Sequence, residues 1–188
     1  DRDGDLDLYV CNYVHYSLEA DEPCFFGELS IYCGPNEYDG IADILYRNEG
    51  DGTFTDVTAT SGILEATTRG LGVVFTDIND DWWLDIYVAN DMTRNTLFVN
   101  QGDGTFAEEG VLLGAAFNGD GIANGSMGVD AADYDNDGDI DLWMSNFSLE
   151  ANSLLANDGD YFYDATFDVG IAAPSFLSLG FGTRFVDV

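Results

Sequence analysis

Asp133-Tyr-Asp135-Asn-Asp137-Gly138-Asp139-Ile-Asp141-Leu-Trp-Met-Ser-Asn146 decides the reading of this chain. Carboxylates stand at positions 1, 3, 5 and 9 of its first nine residues, and position 6 is Gly138. Glycine there permits a tight reversal, so the four acids can converge on one point. Position 7 adds a backbone carbonyl, that of Asp139. Such an all-oxygen, carboxylate-rich set suits Ca²⁺ at about 2.3–2.6 Å better than Mg²⁺ or a soft metal. After Asp141 the run Leu-Trp-Met-Ser continues as a strand rather than a helix. An EF-hand is excluded because position 12 would need a Glu and is Met144. The alternative is an acidic turn without metal, but five carboxylates in nine residues repel one another unless a cation lies among them.

The same pattern recurs outward along the chain. Asp77-Ile-Asn79-Asp-Asp81-Trp82-Trp83-Leu-Asp85 keeps oxygen ligands at positions 1, 3, 5 and 9, with the Trp83 carbonyl at position 7. It places Trp82 where glycine is wanted, and a non-glycine residue at positive φ costs about 1 kcal/mol. This second site is therefore expected to bind more weakly. The chain opens within a third copy, in which Asp1, Asp3, Asp5 and Asp7 fall at positions 3, 5, 7 and 9. A fourth begins at Asp187. Two to four calcium ions are expected.

Each loop sits inside a longer repeat. Gly70–Asp77, Gly125–Asp133 and Gly180–Asp187 precede the loops, whose first residues step by 56 and 54. Asp3–Asn12, Asp81–Asn90 and Asp137–Asn146 carry alternating apolar strands, and Leu45–Phe54, Leu97–Phe106 and Leu154–Phe162 carry hairpins turning at glycine. The fold class is all-β, built of four-stranded, propeller-type blades. The units are 1–58 (a partial blade with an insertion at 13–44), 70–109, 125–168, and 180–188 as the first strand of a fourth blade. The insertion puts 32 residues between Asn12 and Leu45, where the second unit has six between Asn90 and Leu97. Inserted loops of this kind either bind ligands or cover a blade edge.

Charge narrows the function. The chain has 36 acidic residues against 5 arginines and no lysine, a net charge of −31. Nucleic acid and anionic membrane surfaces are thereby excluded as partners. No apolar run is long enough to insert as a membrane helix. Catalytic candidates are thin: the single histidine, His15, lies in the insertion, and no nucleophile or zinc-hydrolase pattern is present. An aspartate pair of the kind used by propeller lyases or hydrolases is not distinguishable from calcium ligands. Cys24 and Cys33 share an irregular loop that a disulfide would pin, with free thiols or a metal pair as alternatives. Cys11 ends an apolar strand and reads as a small buried residue.

The combined pattern GxxxxDxDxDGxxDLxV plus NxGDGTF resembles FG-GAP/VCBS repeats, the blades of integrin-α-type propellers, over nearly the whole chain. The runs LDLYVCNYV, CGP and ILYRNEGDGTFTDVTATSGI resemble secreted bacterial relatives of cartilage acidic protein, of the ASPIC/UnbV type. The resemblance implies a seven-bladed propeller, calcium in the loops between first and second strands, an extracellular or cell-surface setting, and adhesion. It also implies that Cys24 and Cys33 pair and Cys11 stays free. The expected function is calcium-dependent adhesion or binding of a protein or glycan ligand. The alternatives are a building block of a surface layer or filament and, third, a propeller enzyme. Read end to start, Asp187-Val-Asp1-Arg-Asp3-Gly4-Asp5-Leu-Asp7 restores a full motif. The segment is therefore expected to work within a longer chain or in head-to-tail copies, not as a free monomer.

Overall fold

The computed structural model describes residues 1–19, 23–65 and 67–187. Among the described residues thirteen short strands form, in chain order: β1 (Leu8–Val10), β2 (Cys24–Phe26), β3 (Leu29–Ile31), β4 (Ile44–Asn48), β5 (Phe54–Asp56), β6 (Gly70–Thr76), β7 (Asp85–Asn90), β8 (Thr96–Asn100), β9 (Phe106–Glu108), β10 (Ser126–Ala132), β11 (Asp141–Asn146), β12 (Ser153–Asn157) and β13 (Phe162–Asp164). The fold is all-β, with single-turn helices over Thr58–Ser61 and Ala172–Ser175. Two complete antiparallel sheets, β6-β7-β8-β9 and β10-β11-β12-β13, have meander order. A three-stranded sheet, β1-β4-β5, and a separate β2-β3 hairpin complete the set. These are propeller-type blades.

Alternation along β7 shows why the middle sheet is buried on both sides. Ile86 and Val88 pack with Tyr9, Leu45 and Ile63 of the first unit. Tyr87 and Ala89, pointing the other way, pack with Leu142, Met144 and Leu155 of the third. Successive strand residues face opposite sides, so one strand feeds two cores.

The sheets approach most closely at their first strands. A Cβ on Gly72 would lie 3.0 Å from the Met127 carbonyl oxygen and 3.0 Å from Gly128 Cα. A Cβ on Gly128 would in turn lie 2.4 Å from the Phe181 carbonyl oxygen. Gly72 and Gly128 are equivalent, as are Met127 and Phe181, so one inter-sheet contact occurs twice. Residues 180–187 thus lie against the third sheet and donate Phe185 N–H to Asp130 at 2.6 Å. They form no regular ladder, and Val188 lies outside the described residues.

The insertion grows from a loop frame that the other units share. Backbone N–H groups of Asn12, Asn90 and Asn146 donate to side-chain oxygens of Asp43 (2.6 Å), Asn95 (2.9 Å) and Asn152 (3.0 Å). The same staple therefore closes a long loop and two short ones. Within the insertion Cys24 and Cys33 are bonded, Cα atoms 5.2 Å apart, and Cys11 is free. His15 is exposed. Residues 20–22 of the insertion lie outside the described residues.

Candidate metal centres

The loops between first and second strands and the hairpin turns between third and fourth strands share one end of the sheets. In the third unit, carboxylate oxygens of Asp133, Asp135 and Asp141 all lie within 4.8 Å of one another. Among the described residues, no other three His, Cys, Asp or Glu side chains converge in this way. Asp137 and Asp139 stand outside the group. The Asp137 carboxylate accepts the Asp139 N–H at 2.9 Å, while Asp139 enters the expected ligand set through its carbonyl.

Asp133 is the hub of the loop. Its carboxylate accepts N–H groups from Asn136 (2.7 Å), Asp137 (3.2 Å) and Gly138 (3.1 Å). Left-handed backbone at Asn136 (φ 64°) and Gly138 (φ 104°) curls the chain round it. Asp141 is fully buried. One of its oxygens accepts Tyr134 N–H and the other Asn157 N–H, each at 2.9 Å. It fastens the loop's start and the hairpin turn to β11. Burial raises its carboxyl above the ordinary range, and the charges of Asp135 and Asp137 add to this. No arginine pairs with any of the three acids. A hard divalent cation is the counter-charge that fits this oxygen set.

The second loop repeats the shape. Asp77 accepts N–H groups from Asp81 (3.1 Å) and Trp82 (2.7 Å). Trp82 takes the strained φ of 71° that its position demands. Buried Asp85 accepts Ile78 N–H (2.9 Å) and Asn100 N–H (2.8 Å). Burial, reinforced by Asp81 and Asp77, pushes its carboxyl up to about 6. Asn79 donates its amide to Asp81 at 3.1 Å. In the first loop Asp1 and Asp3 accept N–H groups from Asp3 (3.1 Å) and Asp5 (2.9 Å), and Asp7 accepts Asn48 N–H (2.9 Å). Its acids do not form a convergent trio, and Asp187 is exposed.

One feature of the loops is invisible in the motif. The Arg2 guanidinium of the first loop lies 3.9 Å over the Trp83 ring of the second. Adjacent loops are coupled through this cation–π contact.

Repeated antiparallel blades with an aspartate-rich turn at one end define a class of blade-repeat modules. The chain belongs to the FG-GAP-like repeat family, whose model matches residues 1–88 and 77–144. It is similar to cartilage acidic protein 1 of Homo sapiens, 27% identical over 160 residues, covering 80% of this chain and 24% of that protein. It is also similar to cartilage acidic protein 1 of Xenopus tropicalis, 28% identical over 127 residues, covering 65% and 18% respectively. The chain therefore spans less than a quarter of the length of these curated relatives.

Proposed function

We propose that the protein is an extracellular, non-catalytic repeat module that calcium stabilises and that binds a protein or glycan ligand. The observation carrying this reading is the convergence of Asp133 and Asp135 on buried, unneutralised Asp141. In the third unit Asp133, Asp135 and Asp141, with the Asp139 carbonyl, would hold Ca²⁺, and Asp137 lies beside them. In the second unit Asp77, Asn79, Asp81 and Asp85, with the Trp83 carbonyl, form the weaker set. Calcium supplies charge neutralisation. The chain's own part is to fix the loop through the hub at Asp133 and the clamp at Asp141. The Cys24–Cys33 disulfide and the cartilage acidic protein relatives support an extracellular setting.

The test is an array of glycans and extracellular proteins probed with the intact protein in calcium and in chelator. Ligand retained only in calcium supports the reading. Retention that chelator leaves unchanged, or none in either condition, contradicts it.

A further inference from the structure

At the end opposite the aspartate loops, all three units are built around one acid. Asp56, Glu108 and Asp164 close the fourth strand, and each accepts the N–H two residues on, from Thr58 (3.0 Å), Gly110 (2.9 Å) and Thr166 (2.9 Å). Equivalent residues face these acids from the loop between second and third strands. Ala42, Arg94 and Ala151 each give their carbonyl to a strand-end asparagine amide, at 2.8, 2.9 and 2.6 Å. The second unit fills the space itself, because the Arg94 guanidinium meets Glu108 at 2.6 Å.

The first and third units have alanine in place of that arginine, and both have a cavity there. The first, about 350 Å³, is lined by Ala42 and Asp56 among others. The third, about 560 Å³, is lined by Ala151 and Asp164 and adds Glu150, Asp120, Phe167 and Phe176. No basic residue lines it. Its acids are already oriented: Asp164 accepts Gly119 N–H and Glu150 accepts Gly125 N–H, each at 2.7 Å. Each carboxylate oxygen keeps a second lone pair for an incoming donor.

We propose that this third-unit cavity receives the guanidinium of an arginine side chain presented by a partner protein, as the second unit receives its own Arg94. A planar fork of donors matches two carboxylates set round one cavity, and the exposed aromatic side chains Phe167 and Phe176 line the same cavity. Lysine offers a point charge without the fork. The chain's net charge of −31 attracts a basic partner surface in general, and the acids of the cavity would select its arginine. The inference rests on reading the protein as a ligand-binding module, and it makes no use of the calcium loops.

The experiment titrates the intact protein, saturated with calcium, with acetyl-arginine methylamide and its neutral isostere acetyl-citrulline methylamide, followed by NMR. The arginine amide should bind at least tenfold more tightly than the citrulline amide. Asp164→Asn should weaken the arginine amide at least fivefold. Ala151→Arg should abolish binding, because it installs the second unit's arrangement; that unit already tolerates an arginine, so the variant should fold. Equal affinity for both amides, undiminished binding in Ala151→Arg, or no binding to wild type would overturn the proposal. Calcium-dependent capture on the array without arginine binding would overturn this inference alone.

Discussion

Gly114→Ala tests how tightly the blades dock. Gly114 has φ +78°, and a Cβ there would lie 2.5 Å from the Phe162 carbonyl oxygen of the next sheet. Phe162 N–H also donates to the Leu113 carbonyl at 2.7 Å, so backbone meets backbone across the junction. Alanine at positive φ costs about 1 kcal/mol. Relieving the overlap loses that hydrogen bond, about 1 kcal/mol. It also disturbs the packing of buried Ala115 and Phe162, a further ~1–3 kcal/mol. The expected loss is about 3–5 kcal/mol. Gly121→Ala is the control: its φ is +74°, but nothing lies within 4 Å of the added methyl, so only about 1 kcal/mol should be lost. Urea denaturation of the two variants in saturating calcium measures the difference. Equal losses would refute the argument that the glycine turn seats one blade on the next.

Asp43→Asn should keep its staple, since Asn95 and Asn152 hold the same place in the other units. Burial raises the Asp43 carboxyl in the folded state. Wild-type stability from this group is therefore fully present below the unfolded pKa and lost as pH rises through the folded one. The variant should gain on wild type as pH rises above the ordinary carboxylate value of about 4, and denaturation midpoints that track each other as pH rises would contradict this. The Cys11 thiol is pushed up to about 12 by burial, with Asp43 adding to the shift. Native alkylation at pH 8 should run about a thousandfold slower than for a free thiol, as timed by mass spectrometry of quenched samples. Trp82→Gly should stabilise the protein in chelator by about 1 kcal/mol, because φ 71° is already adopted and the mostly exposed ring buries little. An unchanged or lower melting temperature would count against that strain.

Much of this architecture is legible in the sequence. The alternation Asp85-Ile-Tyr-Val gives a strand, and the structure adds that both of its faces are buried, because a sheet lies on either side. The turns at Asn48, Asn100 and Asn157 follow from glycine placement two residues on. Residues 180–187 resemble the first strands by sequence yet form no ladder. A first strand is held by its own second strand, and none is described beside this segment. The β2–β3 hairpin was hidden because its face, Phe26, Leu29 and Ile31, is exposed and carries no polar alternation. The loop motif names candidate acids but not their division of labour. Asp141 is both clamp and candidate ligand, a role set by Asn157, sixteen residues away. The pairing of Arg94 with Glu108, and its replacement by alanine at 42 and 151, emerges only when loops distant in sequence are superposed by their hydrogen bonds.

Calcium binding at the third loop is the central claim. Calorimetric titration of calcium into wild type and Asp133→Ala, paired with melting curves in calcium and chelator, tests it most directly. Wild type should bind calcium and melt higher with it, by about 2.7 kcal/mol of added stability at a hundredfold excess over Kd. Asp133→Ala removes the hub that three backbone N–H groups share, and should lose the binding heat of that site. Identical titrations for the two proteins, or a wild-type melt that chelator leaves unmoved, would contradict the account.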